Sequence, residues 1–144
     1  MKKQHISFSE LKTWAECPFK HRLKYIDGIN GFTGNAFTAF GTAIHDVCEH
    51  IAKGELDKEE YGEHFDIAFL CELKKLEEKP DNQLITKMRQ QGKAISPSVF
   101  PQLKEHFGDY EVFSTEEKLY ETIDELAYKW HLKGFIDLVI KTSD

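Results

Sequence analysis

The sequence predicts an α/β fold in α+β-like order: a helical N-terminal portion packed on one face of a partial, mainly antiparallel sheet. Three observations predict it. Apolar residues recur at helical spacing from Ala36 to Lys53. Two runs rich in aromatic and β-branched residues, Tyr110 to Thr122 and Leu126 to Ile140, follow the helical part. The second holds Gly134-Phe135-Ile136-Asp137-Leu138-Val139-Ile140, one carboxylate in an apolar run, which reads as a strand buried on both faces. Burying an unpaired carboxylate is costly or forces it to take up a proton, so Asp137 should meet a cation or a set of donors.

At 144 residues the chain reads as a single domain, with a helical part over 1–107 and a β-hairpin part over 108–144. A hydrophobic content of 40%, a charged content of 31% and eleven Phe suit a soluble domain with a substantial core. The net charge of −6 gives no global positive field to draw nucleic acid, which argues against a pure DNA-binding module. It is compatible with a site that holds a metal through carboxylates. Cys17, Cys48 and Cys71 are scattered with no CxxC pair, which argues against a zinc ribbon and for a reduced, cytoplasmic compartment. The start, Met1-Lys2-Lys3-Gln4-His5-Ile6-Ser7, lacks the apolar core of a signal peptide. No apolar run approaches the ~20 residues of a membrane span, so no membrane partner is expected.

The elements follow in order. Ser7 and Glu10 have capping-box spacing, so a helix starts near Ser7 or Ser9, with Leu11, Trp14 and Ala15 on its buried side. Pro18 suits the first turn of a second helix, Phe19 to Ile26, ended by Asp27-Gly28. Asn30 to Asn35 reads as a loop. A third helix runs from Ala36 to Lys53 and stops at Gly54. Phe37, Phe40, Ile44, Val47, Cys48 and Ile51 form its apolar arc, with His45 and Glu49 side by side at the edge. Gly41 reads as a close-packing position rather than a phosphate loop. Asp57 can cap a fourth helix through Lys79, with Phe65, Phe69 and Leu76 inward, before the break at Pro80-Asp81. Asn82 to Lys93 is a fifth helix, and a sixth lies between Ser98 and Phe107. A tight Asp124-Glu125 turn joins the two strands.

A strand buried on both faces should have neighbours on both sides, yet only one candidate precedes it. The expectation is an unfinished sheet, completed by a longer parent protein or by another chain. Its open edge should seek a partner, so pairing between copies is expected.

Three stretches carry a resemblance. Ile6-Ser7-Phe8-Ser9-Glu10-Leu11, continuing through Cys17-Pro18 to Tyr25, resembles the N-terminal signature of RecB-type nucleases of the PD-(D/E)XK superfamily. Gly41-Thr42-Ala43-Ile44-His45-Asp46-Val47-Cys48-Glu49 is similar to that family's G-x-x-x-H-x-x-x-E helix. Leu132-Lys133-Gly134-Phe135-Ile136-Asp137 is similar to its L-x-G-x-I-D strand. The resemblance implies an incomplete restriction-endonuclease-like core and a metal-dependent DNA exonuclease of recombination, repair or phage DNA metabolism, with a helicase or recombination protein as companion. It implies that His45 and Asp137 are metal ligands, that Asp137 and Glu116 are the catalytic acids, and that Glu117 is the alternative register for Glu116. The family's acidic-x-Lys motif would lie beyond residue 144, since Val139 stands where Lys141 would need an acid. The chain alone is therefore expected to cleave poorly.

The chemistry explains the residue types. Phosphodiester hydrolysis needs an activated water and relief of charge on the phosphoryl oxygens, which Mg²⁺ or Mn²⁺ held by carboxylates supplies. An imidazole ligand tilts the preference toward Mn²⁺. Lys20, Arg22 and Lys24, with Lys12 and His21, could contact DNA phosphates, as could Lys87, Arg89 and Lys93. A solvated helix face is the plain reading of both groups. Cys17 matches an iron–sulfur position of some relatives, but a small buried residue before Pro18 is the favoured reading. Glu49 is expected to face water. A non-catalytic nucleic-acid-binding or protein-interaction module on the same scaffold is the alternative function.

Overall fold

The computed structural model describes residues 5–29, 31, 33–123 and 130–143. Strand β1 (His5–Ser7) leads into α1 (Phe8–Glu16) and α2 (Pro18–His21), which runs on as a π-helical turn, Arg22–Ile26. Then come α3 (Ala36–Ala52), α4 (Tyr61–Lys74), α5 (Asn82–Ile95), a 3₁₀ turn (Ser96–Ser98) and α6 (Val99–Phe107). The long strands β2 (Tyr110–Ile123) and β3 (Trp130–Thr142) complete the order. Apart from the short β1, the helices precede the strands, as the sequence predicts. The described residues form two compact units, one within Met1–Phe32 and Glu116–Asp137, the other within Thr33–Thr115 and Leu138–Asp144.

In the first unit, Ser7 caps α1 as its spacing to Glu10 predicts: its Oγ accepts the Glu10 N–H at 3.2 Å. The buried side of α1 differs from expectation. Leu11 and Trp14 are 39% and 55% exposed, whereas Glu10 and Thr13 are buried. Polar groups can go inside here because each is satisfied. The Thr13 hydroxyl donates to the Ser9 carbonyl at 2.8 Å, and the Glu10 carboxylate accepts from His21 Nε2 at 3.1 Å.

Among the described residues the sheet has the order β1-β3-β2. Strand β1 runs parallel to β3, with His5 opposite His131, Ile6 opposite Leu132 and Ser7 opposite Lys133. This corrects the expectation that β3 has one neighbour only. Three residues are too short to show a period-two pattern, so β1 is invisible to periodicity. The Asp124-Glu125 turn lies outside the described residues. Burial of β3 on both faces is also corrected: Phe135 is 55% exposed, Ile136 is 38% exposed, and Asp137 is exposed. Hydrogen bonding to strands on either side lies in the plane of a sheet and leaves its faces uncovered.

The second unit is built on α3, α4 and α5. Its core comprises Ala36, Ala39, Ala43 and Val47 of α3, Phe65, Phe69 and Leu73 of α4, and Met88 of α5. The buried stripe of α3 is thus made mostly of alanines at three- and four-residue spacing, which let another helix approach closely. The predicted arc lies partly off-centre. Phe40, Ile44, Cys48 and Ile51 flank the core, and Phe37 is 66% exposed. Phe40 sets its ring edge-on to Phe65 at 5.3 Å and to Phe69 at 5.8 Å.

The cap of α3 escaped the sequence reading. Asn35 Oδ1 accepts the N–H groups of Phe37 and Thr38 at 3.0 Å each, and Thr38 Oγ1 accepts the Asn35 N–H at 2.8 Å. This is a reciprocal box with Thr in place of the usual Glu or Gln. The end of α3 at Lys53 is as predicted, with Gly54 at φ +70°.

Helix α4 is shorter than predicted at both ends. Asp57 does not cap it; its N–H donates to Glu60 Oε2 at 2.9 Å in the preceding turn. Leu76 follows the helix and packs at the rim of the core. Asp81 caps α5, accepting from Gln83 and Leu84 at 2.9 and 3.0 Å. Close packing belongs to Gly92, not to Gly41. A Cβ on Gly92 would fall 1.9 Å from the Phe65 ring, whereas one on Gly41 would meet nothing within 4 Å.

Candidate functional site

His45 sits on α3 within the second unit and is exposed. The one-turn spacing that sets Glu49 beside it also sets Lys53 beside Glu49. Glu49 is half-buried and ion-paired to the Lys53 ammonium, rather than simply solvated as expected. One position round the helix, Asp46 Oδ2 accepts from His64 Nε2 of α4 at 2.7 Å. His50, a turn further along α3, donates from Nδ1 to the Asp46 carbonyl at 2.8 Å.

The strand acids belong to the first unit. Glu116 on β2 is half-buried and Glu117 is exposed, so the two registers differ in burial. Glu116 takes φ +52°, a left-handed conformation that disfavours an L side chain. Asp137 is on β3, the strand next to β2. It is exposed, so desolvation gives no reason for it to seek a cation. In donor chemistry, two carboxylates on neighbouring strands are hard oxygen ligands suited to Mg²⁺ or Mn²⁺.

The N-terminal signature has a structural logic within this unit. Ser7 caps α1. A hydrogen bond from Ser9 holds the Tyr25 phenol below its ordinary pKa against the opposing effect of burial, with Thr13 and Lys24 contributing. His21 stacks on the Tyr25 ring at 5.3 Å while bonding to Glu10. Cys17 caps α2, its Sγ accepting the Lys20 N–H at 3.5 Å, with Pro18 in the first turn. Beside β1 and β3, Ser7, Ser9, Lys133 and Phe135 line a groove of about 730 Å³.

The two basic groups differ. Lys20 lies 3.8 Å from Glu16, Arg22 lies 3.4 Å from Asp27, and the Lys24 ammonium is 5.2 Å from the Tyr25 ring centre. Such exposed pairs are weak and leave the cations available to phosphate. In the second group, Arg89 forms a two-pronged pair with Asp66 at 2.6 Å per bond, and Lys93 approaches the same carboxylate at 3.1 Å. Those two cations tie α5 to α4. The phosphate-contact reading is therefore corrected for Arg89 and Lys93. The sequence could not show this, because Asp66 looks like a solvated helix residue until α5 is laid beside α4. The Asp46, His50 and His64 cluster was missed as well. Its one legible signal is the spacing of Asp46 and His50, one helical turn apart.

No helix among the described residues is long and apolar enough to cross a membrane.

An α/β chain with acids on neighbouring strands and a histidine-bearing helix fits a class of metal-dependent hydrolases. The family model for the PD-(D/E)XK nuclease superfamily matches residues 5–144. The chain belongs to that superfamily, whose members are metal-dependent nucleases, so DNA is the substrate class that membership implies. Neither the curated proteins nor the solved structures gave a match.

Proposed function

We propose that this chain is the nuclease domain of a RecB-like DNA exonuclease acting in recombination, repair or phage DNA metabolism, alongside a helicase or recombination protein. The observation that carries the reading is a family match spanning all three motif stretches, from Ser7 to Asp137. In this reading His45 and Asp137 would be ligands of a Mg²⁺ or Mn²⁺, and Glu116 would be the supporting acid. The half-buried, left-handed Glu116 supports its choice over exposed Glu117, because strained backbone concentrates where function over-determines it.

The bound ion supplies Lewis acidity and an acidified water. The chain's own residues do the rest. His45 and Asp137 would hold the ion through imidazole and carboxylate, and Glu116 would supply the second acid. Lys20, Arg22 and Lys24 steer and hold the phosphate backbone. Their contribution falls as salt rises, because binding releases counterions.

The test incubates the protein with end-labelled linear DNA and Mn²⁺ or Mg²⁺. Slow shortening from the ends, stopped by chelator, is expected of the chain alone. Asp137→Ala and His45→Ala should each lower the rate by about 100-fold or more, the scale of losing a group that stabilises charge in a transition state. Absence of cleavage, with Mn²⁺ binding unchanged in Asp137→Ala, would overturn the reading. DNA binding without cleavage in either metal would favour the non-catalytic module.

A further inference from the structure

We propose a second cation site in this chain, formed by Asp46, His50 and His64 and selective for a borderline transition ion such as Zn²⁺. It uses none of the residues assigned to the nuclease ion. One donor atom from each of the three residues lies within 4.8 Å of the others, and all three side chains are half-buried.

The hydrogen bonds prepare the ligands. His50 donates from Nδ1 to a backbone carbonyl, which can only accept, so its proton is fixed on Nδ1. Its Nε2 lone pair is then free to bind a metal. Holding the second ring nitrogen on a carbonyl is the usual way that a metal-binding histidine is oriented. His64 Nε2 already rests on Asp46 Oδ2 at 2.7 Å, and the His50 and His64 ring centres are 4.6 Å apart. Moving the His64 proton to Nδ1 would free Nε2 for the ion, with no proton lost from the neutral ring. Glu55 Oε2 stands 3.8 Å from His50 Nε2, and its exposed side chain could provide a fourth ligand by rotation. A cavity of about 240 Å³ lined by Asp46, His64 and Cys71 gives an ion a way in.

Donor type sets the selectivity. Two imidazoles with one or two carboxylates suit Zn²⁺, Co²⁺ or Ni²⁺, whereas Mg²⁺ favours oxygen ligands throughout. Because Asp46 and His50 are on α3 and His64 is on α4, the ion would clip the two helices together. The plainer alternative is an interhelical hydrogen bond between Asp46 and His64, with His50 packed beside it.

Calorimetric titration of the whole protein with Zn²⁺, supported by the visible absorption of bound Co²⁺, separates the two. Saturable Zn²⁺ binding is expected, with a rise in melting temperature, since a ligand of the native state stabilises it. His50→Gln and His64→Gln should each weaken that binding by at least about tenfold, while His45→Gln leaves it in place. His50→Gln removes no hydrogen bond between the helices, so it carries the test even where His64→Gln unfolds the chain. No saturable binding, or binding lost in His45→Gln but retained in His50→Gln, would overturn the proposal. Neither outcome bears on the cleavage assay with Asp137→Ala.

Discussion

Arg89 holds Asp66 with two parallel hydrogen bonds, Nε to Oδ1 and Nη2 to Oδ2, each 2.6 Å long. The guanidinium fork matches the carboxylate and links α5 to α4 beside the buried Phe65. Its hydrogen bonds hold the Asp66 carboxyl down from 3.8 to about 2, against the effect of burial. A depressed carboxyl stabilises the fold above its unfolded pKa, and that contribution fades as pH falls through the folded one. The clamp should therefore be at full strength above about pH 4 and be lost toward pH 2. Asp66→Asn should cost about 2 kcal/mol at neutral pH, as for hydrogen bonds to charged groups. Denaturant melts at several pH values should show the gap to wild type closing between about pH 4 and 2.

Two glycines in helix interiors should respond in opposite ways. Gly92→Ala drives a methyl into the Phe65 ring and should destabilise by about 1–3 kcal/mol. Gly41→Ala meets open space and should stabilise by up to about 1 kcal/mol through helix propensity. Chemical denaturation of both variants checks the pair.

Glu116 separates backbone from side chain. At φ +52°, Gly is favoured over Ala by about 1 kcal/mol, so Glu116→Gly should be the more stable of the two variants. In the proposed reading both lose the supporting acid, so both should lose cleavage. Melting curves read the first effect and end-labelled DNA reads the second.

The Asn35 cap should contribute about 1 kcal/mol. Asn35→Ala removes the acceptor for two N–H groups of α3, and with it the anchoring of the first turn of the histidine-bearing helix. Thermal denaturation should show the loss, and Asn35→Asp should restore most of it.

Strand β2 is an edge of the sheet among the described residues, and its Phe113 is 72% exposed. Exposed apolar edges invite pairing with another chain. Sedimentation should show concentration-dependent self-association, reduced by Phe113→Lys. A single monomeric species at all concentrations would contradict this.

Local chemistry made much of the fold legible. Ser7 with Glu10, Pro18 after Cys17 and Gly54 after Lys53 marked helix ends correctly, because a cap depends on a few adjacent residues. The period of α3 and the aromatic content of β2 and β3 named the right element types. The three motif stretches pointed to the nuclease superfamily. The sequence also placed Glu116 and Asp137 on strands and His45 on a helix, since period and turn residues act within one segment.

The partnerships between segments were decided by tertiary structure. Asp66 joins Arg89 and Lys93 only because α4 and α5 lie side by side, and Phe65 marks Gly92 as the close-packing glycine for the same reason. Asp46 meets His64 across two helices, and β1 completes one side of β3 from far away in the chain. Burial depends likewise on what covers a residue, which is why buried Glu10, exposed Trp14 and exposed Asp137 all contradict their local sequence patterns. Periodicity states which residues share a face; only the packed chain states what that face meets.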